Sequence, residues 1–141
     1  MLEDEIKKFL AKHACERFEN TDTVQSIMRK WHEPYGVEFC RNMHYPDIEL
    51  IRKHKAEFEK YNVFVDRNDI EIENEDVILF NCVATLNYKL PVKRYSVILY
   101  SNNVVTISAR EFAFVVCNKI NETNTLVVDS DEKSVITIQS K

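Results

Sequence analysis

The hydrophobic rhythm of this 141-residue chain changes near Tyr61, and that change restricts its possible folds. Before it, apolar residues recur at helical spacing. Leu2, Ile6, Phe9, Leu10, His13 and Phe18 share one face of a segment from 2 to 19, with Glu and Lys between them. From Asn62 the period becomes two: Val63 and Val65 alternate, then Ile70 and Ile72 with Glu71 and Glu73 between them. The expected organisation is a helical segment, 1–61, and a β segment, 62–141, together forming one compact unit.

The β segment repeats. Ala84-Thr-Leu-Asn-Tyr-Lys, Val104-Val-Thr-Ile-Ser-Ala and Thr125-Leu-Val-Val-Asp-Ser are each followed by a second run, at Ser96, Phe112 and Ser134. A shorter unit, Ile70 to Glu73 with Val77 to Asn81, precedes them. Self-similarity at a period near twenty is the mark of a β-solenoid. Turns must then form without glycine, because Gly36 is the only one in the chain. Asparagine, present ten times from 62 onward, tolerates the left-handed conformation and can take that role. Adjacent Asn102-Asn103 is also a hairpin signal, so an antiparallel β-sandwich is the alternative. Nothing after Ser134 resembles a cap, which predicts an open edge able to pair with another copy.

The helical segment punctuates itself. Asn20-Thr-Asp-Thr23 offers capping oxygens to a helix from Val24 to Trp31, which Pro34 should stop, with Gly36 in the following turn. Residues 37 to 43 suit a further helical turn. A last helix should start at Tyr45-Pro-Asp47 and bury Ile48, Ile51 and Phe58. The whole is an α+β chain with N-terminal helices capping a short repetitive all-β unit.

Tyr35-Gly-Val-Glu-Phe-Cys-Arg-Asn, Tyr45-Pro-Asp-Ile-Glu-Leu-Ile-Arg and Tyr61-Asn-Val-Phe-Val-Asp resemble, in that order, segments of an uncharacterised family of small proteins from gut bacteria, their phages and mobile elements. The resemblance covers most of the chain from Tyr35 onward. It implies helices before a β region of short repeats, and a bacterial or phage setting. The family carries no assigned activity, so no site residue follows from it.

Chemistry is sparse. No run approaches the roughly 18 apolar residues of a membrane span, and the acidic amphipathic start is unlike a secretory signal. Cys15, Cys40, Cys82 and Cys117 lie far apart, two of them in apolar runs, which predicts reduced buried thiols in a cytoplasmic protein, with Cys82 and Cys117 stacked in the core. The net charge of −4 hides a segregation. Six acids crowd residues 66 to 76, whereas residues 77 to 110 carry four bases and no acid. Within that stretch Tyr88, Lys89, Lys93, Arg94, Tyr95, Tyr100 and Arg110 interleave aromatics with bases. That is a candidate interaction face for a protein partner, for self-association or, as an alternative, for single-stranded nucleic acid.

His32, Cys40 and His44 are the weak metal or thiol-enzyme alternative, with His13, His54 or Cys15 as further ligands. Carboxylate pairs among Asp66, Asp69, Glu71 and Glu73 read as a solvated strand face, and one glycine cannot build a phosphate-cradling loop. No cofactor is called for, and a non-enzymatic structural or protein-interaction module is the expected class.

Overall fold

The computed structural model describes residues 2–13, 23–91 and 93–140. They form two compact units, Met1–Asp47 and Ile48–Lys141.

The first unit holds α1 (Leu2–His13), α2 (Val24–Trp31) and α3 (Pro34–Met43). The expected helix from 2 to 19 is described only as far as His13, and residues 14–22, with Cys15 and Phe18, lie outside the described residues. Thr23 starts α2 through a capping box. Its hydroxyl accepts from the Ser26 amide at 3.1 Å, and its own amide donates to the Ser26 hydroxyl at 3.2 Å. The apolar face of α2 is buried as its spacing predicts: Val24, Ile27, Met28 and Trp31. Pro34 does end α2, but it also opens α3 at the first helical position, where a missing amide costs nothing. Gly36 is therefore helical rather than a turn residue. A Cβ placed there would lie 2.0 Å from the Lys30 carbonyl oxygen, so only glycine lets α3 approach the end of α2 this closely.

The second unit begins with α4 (Ile48–Lys53) and α5 (Lys55–Glu59), two short helices where one was expected; the break falls at His54. Ile51 and Phe58 are fully buried, and both helices pack on the first strand. Among the described residues nine strands follow: β1 (Val63–Val65), β2 (Ile70–Glu73), β3 (Val77–Phe80), β4 (Val83–Tyr88), β5 (Arg94–Leu99), β6 (Val104–Ala109), β7 (Phe114–Lys119), β8 (Thr125–Ser130) and β9 (Val135–Ser140).

The strands alternate between two sheets, β1-β3-β5-β7-β9 and β2-β4-β6-β8. Every pairing is parallel. Parallel neighbours and strict alternation define stacked coils, a β-solenoid of about three turns, and they exclude the antiparallel sandwich. Partners lie twenty residues apart from Arg94 to Phe114 and twenty-one from Val83 to Val104 and Thr125. The repeat visible in the sequence is thus the length of one coil.

The corners show how a chain nearly without glycine turns. Asp66, Asn81 and Asn102 take positive φ (56°, 54° and 60°) where the odd-numbered sheet hands over to the even one. Asn62 and Asn74 are also left-handed, as are Glu111 and Phe112. Between the sheets runs the core. Ile70, Ala84 and Val105 stack in register along one line, and Val77, Val97 and Cys117 along another.

Candidate functional site

The predicted interaction face does not survive as a stacking platform, because its aromatics point inward. Tyr88, Tyr95 and Tyr100 are all buried. Tyr88 and Tyr95 lie ring against ring, 4.8 Å between centroids, in the core between the sheets, and the Tyr88 hydroxyl donates to the Glu75 carbonyl at 2.8 Å. Burial raises the Tyr88 phenol well above its ordinary range. Tyr100 stacks on Phe80, 4.0 Å away. Period two carried these rings to the buried side, and a tally of aromatics beside bases cannot register that.

The bases at that face are exposed or half-buried, but acids one coil away answer them. Lys89 meets Glu73 at 3.8 Å, Lys93 meets Asp76 at 3.0 Å, and Arg110 is bonded to Asp129. Arg94 is exposed at the start of β5. The charge segregation along the chain has a period close to one coil, so winding places the acid-rich stretch beside the base-rich one. Such pairs are individually weak at a surface, yet they remove the net positive field an anionic ligand would need.

The histidines and thiols do not assemble either. Cys40 is buried on α3, His44 is exposed at its left-handed C-cap, and His32 caps α2. Among the described residues no three His, Cys, Asp or Glu side chains converge in a way that could hold a metal ion. Cys40, Cys82 and Cys117 are buried, and Cys82 and Cys117 are free thiols. Burial pushes the Cys117 thiol up to about 12 and raises Cys82 too, the reverse of what a nucleophile needs. The two do not stack on one another as expected. Cys82 sits at a corner before β4, whereas Cys117 pairs in register with Val97 inside β7.

The corner that holds Cys82 contains a feature the residue pattern did not single out. One coil on, Asn103 is buried and uses its whole amide: Oδ1 accepts from the Cys82 amide at 2.8 Å, and Nδ2 donates to the Leu79 carbonyl at 3.0 Å and to Asn124 Oδ1 at 2.9 Å. Asn124, a further coil on, donates to the Tyr100 and Asn121 carbonyls. This ladder satisfies backbone groups that a tight corner would otherwise strand. The available signal was two asparagines twenty-one residues apart.

A second corner ties helix to solenoid. Asp66 receives Arg52 through two bonds, Nε at 2.7 Å and Nη2 at 3.0 Å, and Asn81 Nδ2 at 2.8 Å. These donors, Arg52 first, hold its carboxyl down at about 2. The neighbouring Arg67 joins Glu59 of α5 to Asp69.

No family model, curated protein or solved structure matches this chain.

What distinguishes the solenoid chemically is its last coil. Register places Leu126 and Val128 of β8 beneath Val105 and Ile107, and Ile136 and Ile138 of β9 beneath Val115 and Cys117. The upper residues are core. In the last coil the same inward line stays apolar but is uncovered: Val128 and Ile138 are each 43% exposed, against 0% for Ile107 and Cys117. Val127, Val135, Phe112 and Phe114 add exposed apolar surface around them. Among the described residues β8 and β9 each have a strand on one side only, so their outer edges offer unpaired amides and carbonyls.

Proposed function

We propose that this protein is a non-enzymatic structural or interaction module that associates through the β edge of its last coil. The observation carrying this reading is the inward line of the last coil, in which Val128 and Ile138 are exposed and Leu126 and Ile136 are half-buried. Residues at core positions in the earlier coils stay apolar here, on two strands that have no further partner strand among the described residues. Exposed apolar surface rimmed by polar groups marks an association site, and a free edge supplies directional hydrogen bonds to a partner strand. The buried free thiols Cys82 and Cys117 support a reducing, cytoplasmic setting, and no described helix is long and apolar enough to cross a membrane.

Photo-crosslinking in the expressing cell tests this. A photoreactive residue replacing Gln139 on β9 should give a discrete adduct, whereas one replacing Thr85, exposed on the even sheet, should give none. No adduct from Gln139, or equal labelling from both positions, would refute association through the edge.

A further inference from the structure

The two ends of the solenoid are built differently. At the first end α4 and α5 pack on β1, with Ile51 and Phe58 fully buried. The neighbouring edge strand β2 carries Glu71 and Glu73, both exposed, Glu73 with Lys89 beside it; Asp69, held by Arg67, and Glu75 lie just outside the strand. Charge along an edge strand is a standard guard against further pairing. At the last end β9 reads Val-Ile-Thr-Ile-Gln-Ser, with no charge at all, and β8 carries one, Asp129, which Arg110 already holds.

Resting on the edge-association reading above, we infer that the partner is a second copy of this chain, docked last coil to last coil, and that assembly stops at two. Head-to-tail stacking would press an apolar edge against the guarded first end, bringing β8 or β9 against the carboxylates of β2 or the helices on β1. Joining the two open ends avoids both. A two-fold axis there makes the edge strands antiparallel, and self-pairing is permitted by composition. Centred on Thr137, β9 sets Ile136 opposite the partner copy's residue 138. Centred on Val128, β8 sets Asp129 opposite the partner copy's residue 127, so no like charges face each other. Each inward apolar line then meets its equivalent and the two cores become continuous.

The contact is small. Six-residue strands are about 20 Å long, and two sheets with their side chains span about 22 Å, giving roughly 440 Å2 per copy or about 880 Å2 in all, below the roughly 1,200 Å2 of a stable interface and in the range of weak association. The dimer therefore dissociates on dilution, with a midpoint expected in the micromolar range.

Light scattering after size exclusion, on the purified chain across a concentration series, reads this directly. The expected mass rises from 16.7 kDa to twice that and no further. Ile138→Lys and Ile138→Glu should each give monomer throughout. Mixing the two should restore the doubled mass, because the substituted positions of the two copies approach each other and opposite charges replace the apolar contact; restoration also shows that both variants fold. A monomer at every concentration, a mass growing past two copies, or wild-type behaviour in both variants would overturn the inference. If the Gln139 adduct forms in cells but its mass is not twice the chain's, edge association stands and the second copy is refuted as its partner.

Discussion

The odd-numbered and even-numbered sheets share one set of coils, yet they are solvated differently. In the even sheet one face is core and the other is exposed: β4 and β6 alternate buried Ala84, Leu86, Val105 and Ile107 with exposed Val83, Thr85, Val104 and Thr106. In the odd sheet both faces are buried. Val77, Leu79, Val97 and Leu99 face the space between the sheets, and Ile78, Phe80, Ile98 and Tyr100, on the opposite side, are equally enclosed. This is why β3 reads Val-Ile-Leu-Phe without a polar residue while β2 reads Ile-Glu-Ile-Glu. Strand composition thus reports how many faces are covered, whereas register reports only the coil.

That contrast breaks most easily at equivalent outward positions. Ile98→Ala on β5 should cost about 2–5 kcal/mol in urea unfolding, as a buried deletion does, and Leu86→Ala on the core face of β4 should cost the same. Thr106→Ala, outward on β6, should stay within about 0.5 kcal/mol. Equal effects of Ile98→Ala and Thr106→Ala would dissolve the distinction between the sheets.

The corner joining the sheets comes next in size. Asn103→Ala leaves the Cys82 amide and the Leu79 carbonyl buried without that partner, an expected loss of about 2–3 kcal/mol. Faster amide exchange at Cys82 would assign the loss to the ladder, and unchanged exchange would argue against it.

Acid should loosen the first coil through Asp66. Its folded-state pKa lies below the ordinary carboxylate value, so the Arg52 contact stabilises the fold fully above about pH 4 and is lost as pH falls towards about 2. Asp66→Asn should flatten the stability profile across that window and leave it unchanged near neutrality in slope. A slope persisting in the variant would move the effect to other carboxylates.

The smallest expected effect has the opposite sign. Phe112 is 60% exposed and holds φ at 68°. Phe112→Gly relieves the left-handed strain, about 1 kcal/mol, and gives back part of it as unfolded-state entropy. A net gain of a few tenths of a kcal/mol in thermal unfolding is expected; a loss would mean that the Lys133 side chain, 5.4 Å over the ring, contributes more than the strain costs.

Much of the fold was legible because the signals are local or periodic. Asparagines 62, 74, 81 and 102 do turn the chain with positive φ, and the strand starts at 104 and 125 agree with the runs. The candidate face was legible only in part. Lys89, Lys93, Arg94 and Arg110 reach the surface, but Tyr88, Tyr95 and Tyr100 do not, since a tyrosine at period two can face core or solvent with the same neighbours in sequence. Gly36 was misplaced for a related reason: its role lies in the approach of one helix to another, which no local propensity encodes.

By itself the sequence determined the change from helix to strand, the coil length near twenty and the residues able to turn without glycine, since backbone preference and side-chain alternation act within a few bonds. The tertiary structure alone decided the parallel register, the pairing of acids with bases one coil away, the asparagine ladder and the contrast between a guarded first end and an apolar last one. Each of these depends on which residues twenty positions apart come into contact, and only winding the chain brings them together.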